Sequence, residues 1–584
     1  MTTSVTAVRV LYIDIDTLRA DHLGCYGYHR ATSPNIDALA ADGVRFENVY
    51  ASDVPCLPSR TALMTGMFGI RNGVVNHGGL AADLRSQGAD RAFFSRLATD
   101  SWAGRFFWSG WNTASISSFA FRHSATWWNS GFMEAMNLMR GFGGERADEV
   151  LPGALDWLDR RGAADRWFLH VHLWDPHTPY NTPAAYGNPF EADPIPAWLT
   201  EEVRAAHWSR PGPHSAQEPW GFRPDEWGDP PPRAPWNAAT MADVKAIFDG
   251  YDVGIRYADD AVGAIVDKLD TMGVLDDTAI MISSDHGEAF GELGVYADHQ
   301  AADEPTCHIP LILRWPGVEP RVHRGLHYQL DAAATVLDLA GITPPSGDWW
   351  DGRSVKPALD AGRDEGRDHL VLSQGAWSCQ RSVRWDRWLY SRTWHDGFHG
   401  WPGEMLFDLD DDPHEQDDLL SSRPDVAVHG SARLEQWTAE QLDRGLGDRV
   451  DPMQVVLDEG GPYHCRGHLP AYLDRLRETG RSEWAELLAE RHPASTCQAG
   501  TEQGSMPFSA RTLRTAITTW ASSIRPCSVA ATSASMTAPG SSIVTNRAMS
   551  APAATAWTAA SVGGVRKAMA PMLSESVMAR PSKP

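Results

Sequence analysis

Lysine is almost absent from this 584-residue chain: Lys245, Lys268, Lys356, Lys567 and Lys583 are all it has, so nearly every positive charge is an arginine. The 51 basic side chains are outnumbered by 75 acids, for a net charge of −24 at pH 7. A protein that neutralises phosphates needs an excess of basic residues on its contact face, so this balance speaks against a nucleic-acid or anionic-membrane binder. Long apolar runs are missing too, and none approaches the ~18–20 residues that cross a bilayer. The N-terminus, "MTTSVTAVRVLYIDID", has no charged leader, apolar stretch or small-residue cleavage site of the kind that marks a signal peptide. Cys25, Cys56, Cys307, Cys379, Cys465, Cys497 and Cys527 are odd in number and scattered, which makes no disulfide framework in so long a chain. These absences lead to the expectation of a soluble, cytoplasmic protein.

What is present has an order. "VRVLYIDID" (8–16) is a short β-branched run ending in acids, suited to a buried parallel strand whose C-terminal end opens on a site. "SPNIDALAADG" (33–43) carries a helix start, helical spacing and a stop glycine. "WFLHVHLW" (167–174) and "TAIMISS" (278–284) read as further strands, the second preceded by a helical pattern over 252–273. Strands alternating with helices predict an α/β fold, a mostly parallel sheet sandwiched by helices. This catalytic domain is expected over 1–364. Within it, 185–240 is a Pro- and Trp-rich insertion without periodicity, expected to be an ordered lid near the site. "HLVLSQ", "SVRWDRWLYSRTW" and "EMLFDLD" predict a small antiparallel sheet in an α+β region over 365–492. Residues 493–584 switch to an Ala/Ser/Thr/Pro/Met-rich composition with six arginines and two lysines against Glu502 and Glu575. The expectation there is a disordered basic tail, of the kind a shifted reading frame in a GC-rich gene produces.

Three clusters bear the chemistry. Asp14 and Asp16, two apart on a strand, share one face. Asp285 and His286 end the 278–284 strand. Between them in sequence lies "SDVPCLPSRTALMTG" (52–66), where Cys56 sits between two prolines with Arg60 four residues on. Carboxylates converging at strand ends suit a hard divalent cation with oxygen ligands, and an imidazole among them also admits Mn²⁺. No histidine or second cysteine lies close in sequence to activate Cys56 as a thiolate.

In combination these motifs resemble the type I sulfatases of the alkaline phosphatase superfamily. "CLPSRTALMTG" is similar to the family signature Cys-x-Pro-Ser-Arg with its threonine–glycine pair, and "YIDIDTLRADHLGCYGYHRATSPNIDALAADG" to the N-terminal metal strand and following helix. "HLWDPHTPY" (172–180), "SSDHGEAFGELG" (283–294), "HIPLILRWPG" (308–317) and "LFDLDDDPHEQDDL" (406–419) match later segments in the family's order. The resemblance implies that a separate maturation enzyme oxidises Cys56 to formylglycine. The hydrated aldehyde then attacks sulfur with the help of one divalent cation, Ca²⁺ first and Mg²⁺ or Mn²⁺ as alternatives. Carried over residue by residue, it implies Asp14, Asp16, Asp285, His286 and modified Cys56 as metal ligands, with Arg60 holding the nucleophile. His177 and His299 are implied on the substrate side, either able to protonate the leaving oxygen, and His77 is a further candidate.

The chain departs from the family in one respect. Well-studied sulfatases have a Gly-Lys-x-His segment and a lysine before the late histidine, where this chain has "SISSFAFRHSATWW" and Asp298. Arg122 and His123 are the natural substitutes. The implied activity is hydrolysis of sulfate monoesters of a small molecule or glycan. The alternative is a phosphonate monoester or phosphodiester hydrolase of the same superfamily, ahead of a metal-independent thiol enzyme or an inactive scaffold.

Overall fold

The structure is a computed structural model of the chain and describes residues 9–85, 95–138, 143–221, 231–345, 349–445 and 449–493. All of these fall within one compact unit, Met1–Arg514. The tail expected over 493–584 lies, Pro493 apart, outside the described residues.

The main sheet uses β1 (Arg9–Ile15), β2 (Val44–Tyr50), β4 (Asn112–Ile116), β5 (Glu134–Met136), β6 (Trp167–Leu173), β7 (Thr278–Ser283), β10 (His308–Arg314) and β11 (Arg321–Tyr328). Their order is β11-β2-β10-β7-β1-β6-β4-β5, and β10 alone runs antiparallel to its neighbours. The mostly parallel sheet read from the alternating pattern is therefore present, with β1 at its centre.

Alternation along β1 shows how both faces are covered. Val10 and Tyr12 enter one apolar cluster, while Leu11, Ile13 and Ile15 enter another on the opposite face. The first cluster receives Leu57, Leu63 and Met64 of the helix Cys56–Thr65 and Val336 of the helix Gln329–Leu339. The second receives Ile247, Ile255 and Val262 of the 31-residue helix Met241–Thr271 and Trp157 of the helix Ala147–Arg161. Strands buried on both sides need continuous apolar text, which is why these runs alternate little in polarity.

A second sheet has the order β15-β14-β13-β12-β3, built from β12 (Leu370–Gln374), β13 (Cys379–Trp385), β14 (Trp388–His395), β15 (Glu404–Asp408) and the two-residue β3 (Asp53–Val54). The C-terminal strands are antiparallel, as expected, but β3 pairs parallel to β12 through Asp53 with Ser373 and Val54 with Gln374. A two-residue strand has no periodicity to detect, so the sequence does not reveal that the cysteine segment is anchored there. The insertion 185–240 departs from the reading as aperiodic text: it contains the helix Glu201–Trp208, capped by the Thr200 side chain. Beyond that helix the insertion reaches a hairpin of β8 (Ala289–Phe290) and β9 (Tyr296–Asp298), where the His214 ring lies 3.1 Å from Asp298. No helix among the described residues is long and apolar enough to cross a membrane.

The helix carrying Cys56 is stopped by Gly66, whose φ of +69° suits glycine and whose Cβ, if present, would lie 2.2 Å from the Trp350 ring. Gly66→Ala is expected to destabilise the protein by about 2 kcal/mol or more, because backbone strain and a clash with a packed indole add. Urea unfolding measures this, and a change below about 0.5 kcal/mol would show that the helix end tolerates displacement.

Candidate active site

Parity and strand ends assemble the site. Asp14 lies on the β1 face that the Cys56 helix covers, and in the β1–β6 register it is opposite His172. Asp16 follows the strand end, as Asp285 and His286 follow β7. Ser59 ties the helix to this point by donating to the Asp285 carbonyl at 2.6 Å and to Gln329 Oε1 at 3.1 Å. Asp16, Cys56, Asp285 and His286, all buried, each bring one donor atom within 4.8 Å of one another.

Arg60 is the hub. Its guanidinium donates to Asp14 Oδ2 (2.7 Å), Asp16 Oδ2 (3.0 Å) and Asp285 Oδ2, and to His172 Nε2 (2.7 Å), with no part of its side chain exposed. His172 accepts there, so its Nδ1 proton goes to Ser117 Oγ at 3.0 Å. One guanidinium thus faces three buried carboxylates, two negative charges in excess. Burial works against ionisation of Asp16, but Arg60 and His177 hold its carboxyl well below the usual range. Asp285 goes the other way: burial, opposed by Arg60 and reinforced by Asp16 and Asp14, pushes its carboxyl well above the usual range. Asp16 Oδ1 has no hydrogen-bond partner among the described residues.

The donor set fits a divalent cation. Two carboxylates and an imidazole converge, the charge excess is two, and an orphaned carboxylate oxygen points into the group. His286 is prepared as a ligand, since its Nδ1–H donates to the Gly287 carbonyl at 2.8 Å and leaves the Nε2 lone pair facing Cys56 Sγ at 3.2 Å. Asp14 does not join this group. Its Oδ2 accepts from Arg60, as those of Asp16 and Asp285 do, and lies 3.5 Å from His170 Nε2 on β6, while its Oδ1 has no hydrogen-bond partner among the described residues. The Cys56 thiol is no nucleophile as it stands: burial, then Asp16 and Asp285, push it well above its ordinary value.

His177 and His299 also bring donor atoms within 4.8 Å of the Cys56 sulfur and of each other, and the His299 ring centre lies 4.1 Å from that of His286. They differ in charge. Burial, with the Asp16 charge opposing it, lowers His177 to about 4, so this ring is neutral. Burial also disfavours charge on His299, but Asp298 and the hydrogen bond to Glu288 outweigh it and raise this imidazole to about 9. Arg122 lies over the Trp174 ring at 5.0 Å and donates to the Gly143 carbonyl. His123 faces His77 with ring centres 5.0 Å apart, and His77 Nδ1 meets His464 Nε2 at 2.9 Å. Burial drives His77 and His123 well below the usual histidine range, so they offer uncharged imidazoles.

Sequence reading missed His170, His172, Glu288 and His464. The first two left a signal, since "HVHL" places two histidines two apart on a strand just as "DID" places two acids. His464 left none, being far along the chain in an unremarkable loop.

Comparison with known proteins bears on this arrangement. The sulfatase family profile matches residues 9–342, more than half of the chain, and the profile described as N-sulphoglucosamine sulphohydrolase, C-terminal, matches 291–438. A choline-sulfatase of Rhizobium meliloti is 26% identical over 75% of this chain and 89% of its own length. The human iduronate 2-sulfatase is 26% identical over 53% of this chain and 60% of its own. A solved structure in complex with its substrate D-glucosamine-2-N,6-O-disulfate superposes with a TM-score of 0.60 at 18% identity, covering 75% of this chain and 98% of its own. A phosphonate monoester hydrolase of Agrobacterium radiobacter does so with 0.58 at 22% identity, covering 74% and 96%.

Asp14 and Asp16 are separable by experiment. Asp16→Asn is expected to cut metal retained by the purified protein at least about tenfold at matched free metal, as loss of a ligand does, while Asp14→Asn keeps metal within about threefold and lowers Tm. Elemental analysis with thermal melts decides, and metal loss in Asp14→Asn would return that residue to the ligand set. By profile, fold and the order of its motifs, the chain belongs to the sulfatase family, hydrolases of sulfuric esters.

Proposed function

We propose that this protein cleaves sulfate monoesters of a small molecule or glycan, using residue 56 as formylglycine and one divalent cation. The observation that carries the reading is the buried convergence of Asp16, Cys56, Asp285 and His286, with His177 and His299 also within reach of the Cys56 sulfur. Asp16, Asp285, His286 and the oxygen of modified Cys56 are the ligands, and Ca²⁺ is the expected ion, with Mg²⁺ or Mn²⁺ admitted by the imidazole. The cation supplies positive charge that eases deprotonation of the nucleophile and balances the sulfuryl group. Formylglycine, made by a maturation enzyme that reads Cys-x-Pro-x-Arg, supplies a nucleophile where the buried thiol does not. Relatives named choline-sulfatase and iduronate 2-sulfatase support a sulfated small molecule or sugar as substrate. A cytoplasmic location, expected from the scattered cysteines, belongs to the same reading.

The protein's own groups take the remaining roles. Arg60 neutralises one of the three carboxylates and fixes all of them, so the ligand oxygens do not move during turnover. His299 carries the proton that the departing alcohol oxygen needs, because it is the charged member of the pair facing Cys56. Arg122 and the neutral rings of His77 and His123 line the position where lysines stand in other sulfatases, so sulfate is gripped with fewer formal charges. A sulfate monoester carries one negative charge and needs fewer cationic contacts than a phosphate monoester dianion. On this reasoning sulfate is preferred, although the superfamily includes phosphonate hydrolases of the same fold.

Protein co-produced with a maturation enzyme tests the reading. Peptide mass spectrometry is expected to find residue 56 as formylglycine, and kcat/KM for aryl sulfates to exceed that for phosphonate monoesters and phosphodiesters. The reverse order moves the assignment to the phosphonate hydrolase, and full activity with an unmodified thiol discards the nucleophile.

A pH profile tests the acid. His299 is raised above its unfolded value and must hold its proton to act, so kcat/KM is expected to be retained below and to fall as pH rises through about 9. His299→Asn is expected to remove that limb and to slow turnover by about 10²-fold or more. An unchanged limb in the variant assigns the ionisation to another group.

A further inference from the structure

Glu288, the last residue of "SSDHGE", has no part in the ligand group, yet none of its surface is exposed. A buried carboxyl is costly unless both oxygens are engaged, and here both are. Oε2 accepts from His299 Nδ1 at 3.1 Å, and Oε1 accepts from the Tyr180 hydroxyl at 3.1 Å. Tyr180 is itself 1% exposed and lies three residues beyond His177, so one segment supplies a substrate-facing histidine and the anchor of the other. The loop bearing Glu288 is pinned from behind by Arg19, whose Nη1 donates to the Glu288 carbonyl at 2.8 Å and to Glu292 Oε1 at 2.9 Å. His299 is held at its backbone as well, its carbonyl accepting from Gln374 Nε2 at 2.9 Å and its N–H donating to Asp298 Oδ1 at 2.7 Å.

We propose that Glu288 is the positioning residue of His299 and that Tyr180 orients Glu288 in turn, so that His299 Nε2–H is aimed at the leaving oxygen of the ester. The inference rests on the reading of His299 as the acid. Because Glu288 accepts the Nδ1 proton, the ring cannot flip without leaving a buried carboxylate oxygen and a buried N–H unpaired, and Nε2, 3.8 Å from Asp298 Oδ1, is the nitrogen left for the ester. In the leaving step sulfur bonds to the nucleophile at residue 56 as its bond to the alcohol oxygen breaks, the electron pair of the broken bond stays on the alcohol oxygen, and the Nε2 proton passes to that oxygen. A neutral imidazole remains, its Nδ1–H still bound to Glu288. The contribution is one of aim, so it matters in proportion to how badly the leaving group needs a proton.

That proportion is the test. The matured, metal-loaded enzyme and its Glu288→Ala, Glu288→Gln, Tyr180→Phe and His299→Asn variants are assayed on 4-nitrophenyl sulfate, phenyl sulfate and an alkyl sulfate, with bound metal and Tm recorded for each. Glu288→Ala is expected to lose about 10- to 100-fold in kcat on the alkyl sulfate and less than about threefold on 4-nitrophenyl sulfate, with KM little changed. Glu288→Gln, whose amide oxygen still accepts from Nδ1, is expected to recover to within about fivefold of the parent on the alkyl sulfate. Tyr180→Phe, which removes a single hydroxyl, is expected to show the same leaving-group dependence to a smaller degree, and it carries the test if Glu288→Ala does not fold. Equal losses on all three esters, or a loss that follows metal content or Tm, overturn the positioning role. Leaving-group dependence in His299→Asn without it in Glu288→Ala and Tyr180→Phe overturns the proposal alone. Its absence in His299→Asn overturns the assignment of the acid on which the proposal stands.

Discussion

Three carboxylates meet one guanidinium in a volume closed to water, and the rest of the site follows from how that charge is balanced. Arg60 satisfies one charge of Asp14, Asp16 and Asp285, and a buried excess of two is too expensive to leave. The chain has two ways to meet it. One, which removes a single charge, is to keep Asp285 protonated, the direction in which burial pushes its carboxyl. The other is to admit a divalent cation among Asp16, Asp285, His286 and residue 56. Burial, and then the same carboxylates, push the Cys56 thiol well above its ordinary value.

The surrounding architecture holds that imbalance in place. β1 and β7 deliver their acids from adjacent parallel strands of the main sheet, so their spacing is fixed by the hydrogen-bond ladder. Residue 56 comes from a different direction, at the start of a helix whose preceding residues Asp53 and Val54 belong to the second sheet. The nucleophile position is thus anchored in one sheet and its ligands in another. Arg60, one helical turn beyond Cys56, reaches back across the junction to join them.

The substrate side shows a second use of buried charge. His299 gains positive charge from Asp298 and Glu288, while His77, His123 and His177 lose theirs to burial. His299 is thus shifted in the opposite direction from these three imidazoles. Asp298, the first of the groups that raise His299, is engaged by His214 from the insertion, so the Pro/Trp-rich segment reaches the surroundings of His299.

Sequence alone determined the fold class and the identity of most chemical groups. Strand-length apolar runs ending in acids, and a cysteine between prolines four residues before an arginine, are local patterns that survive without coordinates. Asp16, Cys56, Arg60, Asp285 and His286 were legible because each belongs to such a pattern. Tertiary structure alone decided their division of labour. Asp14 and Asp16 share a face and both accept from Arg60, but only the tertiary structure shows that Asp16, beyond the strand end, also converges with Cys56, Asp285 and His286. His177 and His299 looked equivalent until their surroundings shifted them in opposite directions, His177 down and His299 up. Glu288 and Tyr180 lay inside recognisable segments but could not be singled out there, and His464 carried no local signal, because the Tyr180–Glu288 and His77–His464 contacts span 108 and 387 residues and exist only in the folded chain.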